Sequence, residues 1–150
     1  MGQCYSISLR VRFTDEAAAV KALQNKISRA EEERINYNLD KCAERGLTIH
    51  SIWHLLRIFF ADHPYNCYKD TPYSDDPTFH HITNYFDACY GWAYVMIDAF
   101  KDIVPFLADG SFCGITGDND VFEMTVQDGK TELQVSNIDD ELDGEDDDND

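Results

Sequence analysis

Between Tyr5 and Phe13 the chain alternates without a break: Tyr5, Ile7, Leu9, Val11 and Phe13 are apolar, and Ser6, Ser8, Arg10 and Arg12 between them are polar. Successive side chains on a strand point to opposite faces, so this spacing predicts a strand with one buried face and one wet face. A lone strand of that kind cannot hide its apolar side. The other residues must supply further strands and a layer that covers them.

The covering layer is predicted to be helical. Thr14 is placed to cap a helix whose first turn carries Asp15 and Glu16, acids favoured at the positive end of a helix dipole. Val20, Leu23, Ile27, Ala30, Ile35, Leu39 and Cys42 keep roughly helical spacing, which extends this helix to Gly46, a residue suited to the left-handed stop. Its outer face, with Glu31, Glu32 and Glu33 beside Arg29 and Arg34, reads as a solvated surface with local ion pairs. Ser51 can cap a second helix, IWHLLRIFFAD, apolar on nearly every side and so placed in the core until His63 and Pro64 end it. Residues 63–81 hold three of the four prolines and read as an ordered surface loop, a common place for binding residues. A third helix is expected from about Ile82 to Phe100, because Tyr85, Phe86, Cys89, Trp92, Ala93, Met96 and Phe100 form an apolar stripe. Gly91 weakens its middle, and Pro105 marks its end or a kink.

After Asp109 and Gly110 come three short strand patterns, SFCGIT, VFEMTVQ and KTELQV, joined by GDND and by Asp128-Gly129, a dipeptide suited to a tight hairpin. They predict an antiparallel meander that the first strand joins. The expected class is α+β: a four-stranded antiparallel sheet in the chain order β-α-α-α-β-β-β, covered by helices. Residues 1–137 form a single domain in this reading, and 138–150 an acidic tail, extended by the mutual repulsion of its nine carboxylates.

Charge is distributed unevenly. The 150 residues carry a formal net charge of -17. Up to residue 60, nine Lys and Arg face seven Asp and Glu, whereas beyond it three lysines face 22 acids. A potential of that sign repels nucleic acid and anionic membrane, and it speeds encounter with basic partners. Direct nucleic-acid binding and membrane association are therefore not expected.

Five cysteines, Cys4, Cys42, Cys67, Cys89 and Cys113, stand far apart and odd in number, which suits a reduced, cytoplasmic protein better than a disulfide framework. A thiol nucleophile would have to come from Cys67 or Cys89, yet no local sequence marks an activated thiol. His50 and His54, four apart, with His63, Cys67, His80 and His81, are the weak metal candidates, at a spacing that matches no zinc pattern. Asp139, Glu141, Asp143 and Gly144 echo the start of a calcium loop without its closing glutamate or a following helix. With no phosphate loop or nucleotide fingerprint, the expectation is a non-enzymatic protein that needs no cofactor.

The function expected from these features is binding. A small acidic protein can occupy the basic, nucleic-acid-binding site of a partner protein, its carboxylates standing where phosphates would lie. In bulk charge, though in no motif, the chain is similar to anti-restriction and anti-CRISPR inhibitors that imitate DNA. The expected contact residues are Asp75, Asp76, Asp118 and Asp120 with the tail acids Asp139, Asp140, Glu141, Asp143 and Glu145. Tyr65, Tyr68 and Tyr73 would serve as rigid anchors in the loop. Two other classes stay open: a small-ligand or metal module built on the histidine and aromatic region, and a structural subunit.

Overall fold

A computed structural model describes residues 2–60, 69–72, 78–89 and 91–137. The alternating segment forms β1 (Gly2–Val11), and Phe13 continues it only as an isolated bridge to Leu107. Three helices follow where one long helix was expected: α1 (Glu16–Ser28), α2 (Ala30–Glu33) and α3 (Leu39–Glu44). The first break falls at Arg29, with φ of -95°, and the second is bounded by Arg34 and Asn38, both left-handed, with φ of 59° and 53°. Asparagine tolerates that conformation, but nothing in the composition flags an arginine there. Gly46, at φ 81°, stops α3 as its residue type suggests. The cap of α1 is Asp15, whose carboxylate accepts from the Ala18 amide at 3.1 Å, while the Thr14 amide donates to the Phe106 carbonyl.

Helix α4 (Ile52–Phe60) is buried along Ile52, Leu55, Leu56, Ile58, Phe59 and Phe60, as its composition implies. Its proposed end at His63 and Pro64 lies outside the described residues. The segment read as a loop contributes β2 (Lys69–Pro72) and the first two residues of β3 (His80–Cys89). The expected helix from Ile82 is therefore corrected: only its second half is helical, as α5 (Trp92–Ile103), and Gly91 caps the start of that helix instead of weakening a middle. A 3₁₀ turn at Val104–Phe106 contains Pro105 and ends the helical run.

The meander forms β4 (Phe112–Thr116), β5 (Asp120–Thr125) and β6 (Gln134–Asn137). Asp128 and Gly129 both take positive φ, and Gln127 and Lys130 exchange backbone hydrogen bonds across them, as a tight hairpin turn requires. The antiparallel sheet is larger than four strands. Five lie in the order β3-β1-β4-β5-β6, and the four-residue β2 extends the β3 edge. β1 is thus central, with Leu9 opposite Ile82 on one side and Cys113 on the other.

Tyr5, Ile7, Leu9 and Val11 share one core with Ile82 and Phe86, Cys113 and Ile115, Phe122 and Met124, and with the inner sides of α1, α4 and α5. The Trp92 indole donates to the Phe59 carbonyl at 2.9 Å, which ties α5 to α4. Tyr37 packs edge-on against Phe59 and Trp92 in the same layer. No helix among the described residues is long and apolar enough to cross a membrane.

Where α1 and α5 meet, charge is drawn inward. Lys26 is only 5% exposed, and Asp102 is half-buried nearby. Burial raises the Asp102 carboxyl above the usual carboxylate value, against the pull of Lys26 and Arg29. Asp98 and Glu33 add to the rise. A carboxyl whose folded pKa exceeds its unfolded one contributes stability that is complete below the unfolded pKa and is lost as pH rises through the folded one. Asp102→Asn should therefore melt above the wild type at neutral pH, with the difference closing below about pH 4. Thermal unfolding across that range reads the effect, and a difference independent of pH would refute it.

Candidate functional site

The side chains that alternate with the core, Ser6, Ser8 and Arg10 of β1 and Arg12 just beyond it, turn to the sheet face away from the helices. By register Thr83, Tyr85 and Asp87 of β3, Phe112 and Thr116 of β4, and Glu123 and Thr125 of β5 share that face. Its two ends differ in charge.

At one end the arginines are engaged within the fold. Arg10 donates through Nε and Nη2 to the Gly110 carbonyl at 3.0 and 2.7 Å, and Arg12 donates to Thr78 Oγ1 at 2.8 Å. Both guanidinium groups lie near the Phe79 ring, 5.6 and 4.8 Å from its centre. The arrangement fastens the start of β3 to the turn before β4. At the other end the Cys4 thiol donates to Asp87 Oδ1 at 2.7 Å. That bond holds the thiol in its neutral form and raises its pKa, with Tyr85 pulling the other way. Burial raises the thiols of Cys42 and Cys113 as well. A raised thiol is a poorer nucleophile at neutral pH. Cys89 is exposed on β3, and Cys67 lies outside the described residues.

The histidines are dispersed. His50 precedes α4, so it does not share a helical face with His54, whose Nδ1 accepts the Thr48 amide at 3.1 Å. His80 packs against Trp53 with the rings tilted 49° and their centres 4.4 Å apart, and His81 Nε2 lies 3.1 Å from Ser8 Oγ. Among the described residues no three His, Cys, Asp or Glu side chains are grouped to hold a metal. His63 lies outside them.

Acidic groups dominate the surface of the second half. Asp87, Asp98, Asp109, Asp118, Glu123, Asp128 and Glu132 are exposed, and the basic side chains of residues 78–137 are two, Lys101 and Lys130. Of the acids expected to make contacts, Asp118 is exposed in the β4–β5 turn, and Asp120 is half-buried, accepting from Asn137 Nδ2 at 3.3 Å. Asp75, Asp76, Tyr65, Tyr68, Tyr73 and the tail acids lie outside the described residues, so the fold brings together only the first two.

The meander also forms a cleft of about 610 Å³ that the sequence did not reveal. Phe112 lines it together with Glu123, Thr125, Lys130, Glu132 and Gln134. Glu123 stands opposite Gly114 on β4 and Gln134 on β6, and the Thr131 hydroxyl donates to the Thr125 carbonyl to hold the hairpin over it. The Phe112 ring leans across Gly114, where an added Cβ would sit 2.9 Å from the ring edge. The outward position of Glu123, between the buried Phe122 and Met124, was readable from alternation; its meeting with Phe112 and Glu132 depends on register. No family model, curated protein or solved structure matches this chain.

Proposed function

We propose that the protein is an acidic binding protein that occupies a basic, nucleic-acid-binding site on a partner protein. The observation that carries this reading is the outward display of seven carboxylates against two lysines over residues 78–137. These acids come from α5, β3, β5 and the turns of the meander, so they offer one sign of charge over a broad area. A basic groove built for phosphates meets the same charge and hydrogen-bond acceptors in them. The nine carboxylates from Asp139 onward extend this charge.

The test is capture from a cell lysate with tagged full-length protein and, in parallel, a truncation ending at Asn137. Basic nucleic-acid-binding proteins should be enriched and displaced by added duplex DNA. Binding should weaken at least about tenfold between roughly 50 and 200 mM salt, because charge pairing of this kind is screened and displaces counterions. Equal capture by both chains assigns the site to the folded body, and capture by full-length protein alone assigns it to the tail. A bound set no more basic than the lysate sinks the reading.

A further inference from the structure

We infer that the cleft at the β5–β6 hairpin is a binding pocket for an arginine side chain of the basic partner, an inference that rests on the reading above and gives it a specific contact. The chemistry is that of a flat cation. Phe112 offers a ring to a guanidinium, which stacks on an aromatic face as an ammonium does not. Glu123 and Glu132 line the same cleft and carry the opposite charge, and Thr125 and Gln134 add neutral polar groups. Among the described residues neither glutamate is ion-paired within 4 Å, so their charge is not already neutralised by Lys130. Arg10, the neighbour of Phe112 across β1 and β4, has its guanidinium bound to the Gly110 carbonyl. Gly114 is what lets the Phe112 ring lie along the strand, since a Cβ there would meet it.

The probes are N-acetyl-arginine amide and N-acetyl-lysine amide, titrated at low salt into the isotope-labelled full chain while its backbone amide signals are followed. Saturable shifts should centre on Glu123, Thr125, Thr131 and Gln134, with arginine bound about threefold more tightly than lysine. Glu123→Gln with Glu132→Gln should weaken arginine binding roughly tenfold. Gly114→Ala, which keeps every charge but displaces the Phe112 ring, should remove the preference for arginine, and Lys130→Gln should tighten both probes about twofold. Each variant is checked by its thermal midpoint. Shifts spread equally over Asp87, Asp98, Asp109 and Asp118, or equal affinity for the two amides, overturns the pocket. Failure of lysate capture with these titrations intact removes the basic-partner reading and leaves the pocket standing, whereas capture undiminished by the double glutamine variant does the reverse.

Discussion

Ser8→Pro is expected to destabilise the protein by on the order of 3 kcal/mol or more, a large part of the stability of a domain this size. Ser8 lies at the middle of β1, opposite Thr83 of β3 and Gly114 of β4. A strand paired on both sides has no backbone amide facing solvent. A proline therefore removes a ladder hydrogen bond and leaves its carbonyl partner unsatisfied inside the sheet. Because the Ser8 side chain points away from the core, almost none of the loss would come from packing. Ser8→Ala is the control: it forgoes the contact with His81 Nε2 and should cost within about 1 kcal/mol. Urea denaturation of the two variants reads the difference. A proline variant within 1 kcal/mol of wild type would mean that β1 is an edge strand, as it would be had it joined only the meander.

Phe59→Ala tests the helical layer and is expected to cost about 3 to 5 kcal/mol. The ring is fully buried, with its centre 5.2 Å from that of Tyr37, and Tyr37 in turn packs on Trp92 at 5.9 Å. Truncation removes the aromatic contact and opens a cavity where α4, α5 and the segment before α3 converge. The Phe59 carbonyl still accepts the Trp92 indole, so the backbone link between the helices is preserved and the loss reports packing. The denaturation midpoint should fall while its slope stays unchanged. A loss below about 1 kcal/mol would show that Tyr37 and Trp92 close over the space.

The misread half of the third helix shows why alternation can hide. Ile82, Tyr85, Phe86 and Cys89 fit helical spacing, but the inward set of β3 is Ile82, Asn84, Phe86 and Ala88, which has a period of two. Asn84 conceals that period, being a polar residue at an inward position, its side-chain nitrogen buried without a hydrogen-bond partner among the described residues. Tyr85, counted in the apolar stripe, is 68% exposed on the open face. The run from Val20 to Cys42 failed for a different reason. Its apolar spacing is nearly helical throughout, and the left-handed residues that break it are an arginine and an asparagine, which no glycine or proline announces.

Of the candidate surface, the sign of the charge and its concentration after residue 60 were plain in the chain, whereas the cleft was not. Phe112, Glu123 and Glu132 are ordinary residues in three separate pieces of the meander, and they converge only once the strands take their register. β1, the buried character of α4, the Asp128-Gly129 hairpin and the acidic second half were legible in the chain, because each depends on residues within a few positions of one another. Tertiary structure decided the central place of β1, the strand at His80–Cys89 and the meeting of Phe112 with two glutamates. Those features are pairings between distant segments, and the free energy that selects them is burial and hydrogen bonding across the assembled sheet.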